Sequence, residues 1–296
     1  MTIRRSSQRL VGSHIAQSVG KTAECFALPK RLATSKQQRE KYLLYQIIAR
    51  LCLINLLLAS SASFASEYRI GLCIFGCPVG ASSASEIIIR PIYALAYNSE
   101  YKSADWVVYK VTANSIGIAS SLSRAPIPDN FISDTLDVGD FQDLEGTGLI
   151  RSQYVPVVNF AGTPYWNDTN FVTNAVARSS NLNQGAWYGL EWAIRNLVSR
   201  EQAVFIVTGP IYEATPSIAQ LRTAKPHRVP DAFFKIVITE SGQASAFLLR
   251  QDVPVHVHHC DLRVSIAELE AVTALDFFPE AGARQFASLD SGLGCP

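Results

Sequence analysis

The chain has 296 residues, of which 48% are hydrophobic and 17% are charged, and its formal net charge is +1. This balance supplies the core of one large domain and excludes an intrinsically disordered chain. It also excludes a protein that coats nucleic acid through a strongly basic overall charge, while a local basic patch remains compatible with it.

Residues 1–65 are expected to be a leader with a signal peptide whose h-region lies at about residues 51–60. A short apolar run follows Arg50 there, and the small residues Ser63 and Ala65 then form a site at which signal peptidase would cut. The apolar run is too short to span a bilayer comfortably. The alternative is a buried helix or an uncleaved anchor.

Residues 66–296 are expected to form one domain. Short apolar runs rich in β-branched and aromatic residues predict strands. They lie at residues 87–96, 106–112, 204–208, 233–239 and 246–249. Residues 183–198 have helical spacing, with Trp187 and Leu190 on one face. Strands in runs with a few helices predict an α+β protein.

A further helix is predicted to begin after Ser265. Ser265 and Glu268 have the spacing of a capping box, and apolar residues follow at Leu269 and Val272. This helix would close the domain near its C-terminal end.

Four cysteines lie beyond the leader, an even number as an exported disulfide framework requires. They are Cys73, Cys77, Cys260 and Cys295, while Cys25 and Cys52 lie in the leader. Zinc binding near Cys260 is the alternative. Its ligands would be His256, His258, His259 and Cys260.

Residues 181–191 read NLNQGAWYGLE, which resembles the metal-binding helix of Serratia-type nucleases. Other strings follow the pattern of the same family in order along the chain. They are WVVYKVT at 106–112, DTL at 134–136, TGPIY at 208–212, VPDAFFKI at 229–236 and the closing segment 264–278. The chain therefore resembles the DNA/RNA non-specific endonucleases, which include endonuclease G. The resemblance implies a ββα-metal (His-Me finger) fold with a central antiparallel sheet flanked by helices.

The cysteines resemble those of the secreted bacterial branch of that family. This branch has a C-x-x-x-C-P string near its mature N-terminus, and residues 73–78 read CIFGCP. The resemblance implies the disulfides Cys73–Cys77 and Cys260–Cys295. It also implies a secreted or periplasmic location, with no membrane attachment after signal cleavage.

The catalytic motif of the family is aspartate-arginine-glycine-histidine, in which the histidine takes a proton from the attacking water. The matching residues are Ile150, Arg151, Ser152 and Gln153. A glutamine amide has no useful basicity near neutral pH, so the general base is missing. Glutamine can still orient a water through its carbonyl oxygen, as in some GTPases. The resemblance therefore implies an impaired enzyme.

The remaining site residues are also implied by the resemblance. Asn183 matches the asparagine that holds one Mg²⁺ (or Mn²⁺) ion, and Asn174, Glu191 and Arg195 match polar positions around the catalytic centre. Arg124 and Arg151 are expected to contact substrate phosphates. The alternatives are that Asn183 is a helix N-cap, and that Glu191 and Arg195 form an exposed i,i+4 ion pair.

Three functions follow from these expectations. The first is a secreted protein that binds DNA and RNA through the backbone, without sequence specificity, and has impaired metal-dependent phosphodiester hydrolysis. The second is a competent endonuclease that uses an unorthodox base or a water positioned by Gln153; His227 is the histidine considered for that base, whereas the adjacent Tyr154 would need a large pKa shift. The third is an inactive relative that serves as a nucleic-acid- or protein-binding module and pairs with an active paralogue. A homodimer is compatible with each of them.

Overall fold

The computed structural model describes residues 43–44, 46–48, 50 and 69–296. The residues described between 43 and 50 are helical. The predicted h-region and cleavage site lie outside the described residues. Contacts divide the chain into two units, Met1–Glu67 and Tyr68–Pro296. Across the described part of the chain, no helix combines the length and apolar character that crossing a membrane requires.

Residues 69–296 contain ten strands, three α-helices and several short 3-10 helices. The strands are β1 (Ser85–Ile89), β2 (Tyr93–Asn98), β3 (Ser103–Thr112), β4 (Leu149–Gln153), β5 (Ala175–Ser179), β6 (Ala203–Ile211), β7 (Ala232–Thr239), β8 (Gln243–Arg250), β9 (Arg263–Val264) and β10 (Ala287–Ser288). The α-helices are α1 (Ser180–Gln184), α2 (Ala186–Glu201) and α3 (Ile266–Thr273). The 3-10 helices are Val138–Phe141, Val157–Asn159, Trp166–Asn170, Val172–Asn174, His259–Leu262 and Asp290–Leu293.

The main sheet has the strand order β1-β2-β3-β6-β7-β8-β10, and β9 pairs with β8 outside this path. Every neighbouring pair is antiparallel except β8 and β10, which are parallel. Strands β4 and β5 form a separate antiparallel hairpin. The hairpin is followed at once by α1 and α2, so the chain has the β-β-α order that was expected, within an α+β fold.

The predicted strand at residues 87–96 is wrong in its extent, because the chain reverses within it. Strand β1 ends at Ile89 and β2 begins at Tyr93. Pro91 lies between them and has no N–H to donate to a ladder, so it ends a strand. The backbone N–H of Arg90 donates to the carbonyl of Tyr93 (2.8 Å), which closes the turn.

The predicted helix after Ser265 is confirmed. The Ser265 hydroxyl accepts from the backbone N–H of Glu268 (3.1 Å), and the Glu268 carboxylate accepts from the backbone N–H of Ser265 (2.7 Å). Both halves of the capping box are therefore present at the start of α3. Leu269 is fully buried on its inner face.

The sheet buries an apolar layer on each of its faces because side chains alternate along every strand. Val107 belongs to one layer and Val108 to the other. The first layer also holds buried residues of α2 and of the region around β4 and β5. This layer fixes the position of the hairpin relative to α2, and the space left between them is the candidate site.

Both disulfides implied by the resemblance are present in the structure. Cys73 is bonded to Cys77, and Cys260 is bonded to Cys295 across 35 residues of sequence. On the chain-entropy model a loop of this length contributes about 3–4 kcal/mol to the free energy of unfolding. The second bridge therefore ties the C-terminus to the turn before β9.

Candidate functional site

A cavity of about 310 Å³ opens between the hairpin and the helices α1 and α2. Its lining contains most of the residues that the sequence singled out. The lining residues are Arg124, Arg151, Ser152, Gln153, Pro156, Val158, Asn183, Trp187, Tyr188, Glu191 and Arg195. We call this cavity the basic pocket. Asn174 is the one proposed site residue that does not line it.

The predicted helix over residues 183–198 is divided at Gly185. Asn183 lies in α1, whose N-cap is Ser179, so the interpretation of Asn183 as an N-cap is wrong. A Cβ atom at Gly185 would lie 2.3 Å from the carbonyl oxygen of Val255, a separation that atoms do not tolerate. Only glycine fits there, and Asn183, which precedes the break, lines the basic pocket.

Gln153 is the last residue of β4 and is fixed by its amide nitrogen. Its Nε2 donates to the carbonyl of Thr169 (2.6 Å) and to Oδ1 of Asn170 (3.2 Å). Its side chain lines the basic pocket. This arrangement can present an acceptor to a water molecule, but an amide oxygen cannot hold the proton that hydrolysis releases.

Asn174 is fully buried and holds the backbone behind Gln153. Its Oδ1 accepts from the N–H of Val155 (2.9 Å), and its Nδ2 donates to the carbonyls of Val155 (3.0 Å) and Thr169 (2.8 Å). The carbonyl of Thr169 is thus shared by Asn174 and Gln153. In this structure Asn174 positions the end of β4 and does not reach the cavity.

Glu191 is the one carboxylate that lines the basic pocket, and both of its oxygens are engaged. Oε1 forms an ion pair with the fully buried Lys235, and Oε2 accepts from Nδ2 of Asn159 (3.2 Å). Oε2 also lies 3.8 Å from Nη1 of Arg195. The side chains of Glu191 and Arg195 are 5% and 17% exposed, so the interpretation as an exposed surface pair is wrong.

The three arginines of the lining differ in burial. Arg124 is exposed and Arg151 is half-buried. The guanidinium of Arg151 donates to the backbone carbonyl of Arg124, which joins the strand to the preceding loop. Partial burial lowers the pKa of Arg151 below its usual range, yet an arginine remains charged near neutral pH. The cavity wall therefore carries a net positive charge.

Arg178, which the sequence analysis missed, lies directly behind the basic pocket and is fully buried. Its Nη1 donates to the Ser152 hydroxyl and to Oδ1 of Asn183 (3.1 Å), and its Nη2 donates to the carbonyl of Gln153 (3.2 Å). Its Cζ lies 3.4 Å from the centre of the Trp187 ring. Burial lowers the pKa of Arg178 to about 9, so it is a fixed cation at neutral pH.

The sequence patterns around Arg178 and Lys235 each contain an indication that these residues are unusual. Arg178 alternates with Val176 on the face of β5 that enters the apolar layer, and Lys235 interrupts an otherwise apolar strand. A charged residue is seldom fully buried unless it is paired. Charged residues at core positions were therefore the available indication of a site nearby.

Neither replacement base lies in the basic pocket. His227 is on another part of the surface, where its Nε2 accepts from the backbone N–H of Leu221 (2.9 Å). The Tyr154 hydroxyl is fully buried and shares a hydrogen bond with Ser103 (2.8 Å), and burial raises its pKa well above the usual range. Neither side chain is placed to take a proton from a water in the cavity.

The zinc alternative is not supported at Cys260. Its sulfur is in the disulfide with Cys295 and cannot act as a thiolate ligand. His259 is held by a hydrogen bond between its Nε2 and the carbonyl of Leu293 (3.1 Å). His258 and His259 lie together with their ring centres 4.2 Å apart. His256 is not among the residues whose possible ligand atoms cluster here, so only two histidines remain, too few for a structural zinc site.

The residues around Asn183 do not fit a divalent cation. Oδ1 of Asn183 already accepts from the Ser152 hydroxyl (2.8 Å) and from Arg178 (3.1 Å). Mg²⁺ binds oxygen at about 2.1 Å, so an ion on Oδ1 would lie within about 5 Å of the guanidinium. At an effective dielectric constant of about 20, the repulsion is about 6 kcal/mol. The Glu191 carboxylate, which could offset this charge, is committed to Lys235.

The sheet, the hairpin and the following helices together define a nuclease-like ββα architecture with a basic pocket at the hairpin. The family model for DNA/RNA non-specific endonucleases matches residues 72–283. The chain belongs to this family.

Similar proteins cover most of the chain. A nuclease of Serratia marcescens is 34% identical over 233 residues, which are 76% of this chain and 86% of that protein. Mitochondrial endonuclease G of Bos taurus is 24% identical over 220 residues, 69% of this chain and 73% of its own. The fold matches a chain in the crystal structure of an EndoG/EndoGI complex, with a TM-score of 0.63 and 19% identity over 76% of this chain and 97% of that one.

Proposed function

We propose that this protein binds the sugar-phosphate backbone of DNA and RNA in the basic pocket and hydrolyses phosphodiesters weakly or not at all. The observation that carries the proposal is the glutamine at position 153, which in the family resemblance matches the general-base histidine of the motif. No histidine lines the pocket, and the one carboxylate that lines it, that of Glu191, is held by cations.

The charge of the pocket supports phosphate binding. Arg124, Arg151 and Arg195 line it, and Arg178 and Lys235 lie behind it, against the single carboxylate of Glu191. Cationic side chains that contact phosphates bind nucleic acid without regard to sequence. A strong local positive charge thus coexists with the net charge of +1 for the whole chain.

Two exposed aromatic side chains support contact with unpaired bases. Tyr188 and Trp192 are 59% and 58% exposed and lie one turn apart on α2. Tyr188 itself lines the basic pocket. Aromatic rings beside a cationic groove stack on bases of single strands whatever the sequence. The pocket therefore favours single-stranded segments of DNA or RNA.

The missing general base determines how much slower phosphodiester hydrolysis should be. A positioned general base contributes a factor of about 10²–10⁴ to the rate, or about 3–5 kcal/mol of barrier. The remaining arginines would still attract the phosphate, and Gln153 could orient a water. Any residual cleavage should therefore be slower than that of an intact family member by a factor of this size.

The test combines binding and cleavage by the purified full-length protein. Fluorescence anisotropy with labelled DNA and RNA oligonucleotides should show binding that the double variant Arg151→Ala/Arg195→Ala weakens by about a hundred-fold at low salt. Arg222→Ala is the matched control, because Arg222 pairs with Asp143 outside the pocket. Plasmid and RNA cleavage, with and without Mg²⁺, should be at least a hundred-fold slower than for the Serratia nuclease.

Two other outcomes would replace the proposal. Rapid cleavage that Asn183→Ala abolishes would identify a competent enzyme and would support the Mg²⁺ (or Mn²⁺) ion that the family resemblance implies. Binding that is absent, or unchanged in the double variant, would favour the third function, a module that binds protein.

A location outside the cytoplasm is part of the same proposal. The two disulfides support it, because such bonds persist in oxidising compartments. Terminal sequencing of exported protein should find Ser66 as the first residue; an intact leader would contradict this. A homodimer stays a prediction, to be measured by light scattering.

A further inference from the structure

We infer that the Arg178 guanidinium stands in place of a divalent metal ion at Asn183, so that the basic pocket binds phosphate without any metal. The inference rests on the proposed function and adds the way in which the phosphate is held. It assigns to Asn183 the role of hydrogen-bond donor, the reverse of the acceptor role that a metal ligand has.

The hydrogen bonds of Asn183 set the direction of its amide. Oδ1 accepts from Arg178 (3.1 Å), which lies behind the cavity, and from the Ser152 hydroxyl (2.8 Å). These two bonds use both lone pairs of the oxygen. The amide Nδ2 is therefore left for the cavity that Asn183 lines, and an N–H group there suits a phosphate oxygen and not a cation.

Arg178 cannot leave this position. Its guanidinium is stacked 3.4 Å from the Trp187 ring and 4.8 Å from the Phe233 ring, with no exposure to solvent. It also holds the backbone of Gln153 through that residue's carbonyl. The positive charge is thus built into the wall and is present whether or not a ligand is bound.

The charged groups near Arg178 also favour the binding of an anion over the binding of a cation. No carboxylate oxygen in residues 69–296 lies within 4 Å of a nitrogen of Arg178, and Glu191 is shared by Lys235 and Arg195. An excess of fixed cations lowers the affinity for Mg²⁺ and raises it for an anion. The arrangement performs with a side chain the electrostatic work that the family gives to an ion.

The first experiment measures metal binding without nucleic acid. Mn²⁺ is titrated into the full-length protein and followed by electron paramagnetic resonance. We expect no site occupied at up to about 1 mM Mn²⁺ for the wild type and for Arg178→Lys, which keeps the charge. One tightly bound Mn²⁺ per chain, lost in Asn183→Ala, would overturn the inference.

The second experiment uses Asn183→Asp, which has the same shape and replaces the Nδ2 donor with an anionic oxygen. Oligonucleotide affinity should fall at least about ten-fold, the effect of losing a hydrogen bond to a charged group, and equally in EDTA and in Mg²⁺. Wild-type affinity should be the same in both buffers. Restoration of Asn183→Asp binding by Mg²⁺ would show a metal site and contradict the inference. If the wild type binds no oligonucleotide in either buffer, the proposed function fails, while the Mn²⁺ titration still decides the inference.

Discussion

Two arginines of this protein have largely buried side chains stacked on aromatic rings but differ in their partners. Arg90 lies 3.6 Å from the Phe171 ring and forms an ion pair with the fully buried carboxylate of Asp129 (2.7 Å). Arg178 lies 3.4 Å from the Trp187 ring and donates only to neutral groups. The first charge has a carboxylate in contact with it, and the second does not.

The difference in partners separates an arginine that stabilises the fold, Arg90, from one that can act on a ligand, Arg178. Asp129 also accepts from the Thr173 hydroxyl (2.5 Å) and from the backbone N–H of Phe131 (3.1 Å), so Arg90 belongs to a closed network. Arg178 is next to an open cavity, and its charge acts across Asn183. A buried charge without a counter-charge is costly to keep, and the cost is offset here if an anion binds. A buried arginine with neutral partners beside a cavity thus indicates an anion site.

The largest expected effect tests this comparison with one substitution at both positions. Arg90→Met leaves the Asp129 carboxylate buried and unpaired, which should lower the free energy of unfolding by about 3–5 kcal/mol. Arg178→Met leaves no charge behind and should cost at most about 2 kcal/mol, for the lost hydrogen bonds. Urea unfolding of both variants measures the difference. Equal losses would mean that Arg178 is as structural as Arg90.

An intermediate effect concerns how a cation of the pocket, Arg195, and an exposed aromatic ring beside it on α2, Trp192, contribute to binding. Arg195→Ala should weaken oligonucleotide binding by about ten-fold at low salt and reduce the slope of log K against log salt by about one. Trp192→Ala should weaken binding to single strands by about five-fold or more without changing the slope, because stacking releases no counterions. Anisotropy titrations over a range of salt measure both quantities. A changed slope for Trp192→Ala would contradict the stacking role.

Much of the fold could be predicted because local patterns decided it. The strands near Val107, Ile206 and Ile236 and the capped helix after Ser265 follow from apolar runs and a capping box. The turn at Pro91 is also set by a local feature, but the apolar residues on both sides of Pro91 favoured one continuous strand. The break at Gly185 could not be foreseen, because its cause is the carbonyl of Val255, distant in sequence.

Only those site residues that the spacing of the family motif identifies could be predicted from the sequence. Gln153, Asn183 and Glu191 line one cavity, as the spacing of the family motif implied. Arg178 was not predicted as a site residue because its role depends on neighbours in the folded structure. It pairs with Ile150 across the hairpin and reaches Asn183 from behind. A single sequence gives no information on such contacts, so the sequence identified Gln153 as a site residue and did not identify the neighbouring cation.

The smallest expected effect concerns Lys235, a third buried cation, which has a carboxylate partner and Arg178 as a neighbour. Burial lowers the pKa of Lys235 to about 8, with the Glu191 charge opposing the shift and Arg178 adding to it. An unfolded lysine has a pKa of about 10.4. Between about pH 8 and 10 the unfolded chain therefore holds a proton that the folded chain has lost. Lys235 alone should therefore make the free energy of unfolding rise with pH there, by at most about 1.4 kcal/mol per pH unit.

Urea midpoints at pH 7.5, 8.5 and 9.5 measure this rise in the wild type, in Lys235→Met and in Arg178→Met. Lys235→Met should abolish the rise between pH 7.5 and 8.5, where Lys235 is the group that titrates, while Arg178, whose pKa burial lowers to about 9, contributes a rise of its own at higher pH. Arg178→Met should move the Lys235 rise to higher pH, because the repulsive neighbour of Lys235 is gone while Glu191 remains. A rise unaffected by Arg178→Met would mean that the charge of Arg178 is screened within the protein. In that case the same charge could not act across Asn183 on a phosphate, so this small effect bears directly on the unpaired arginine.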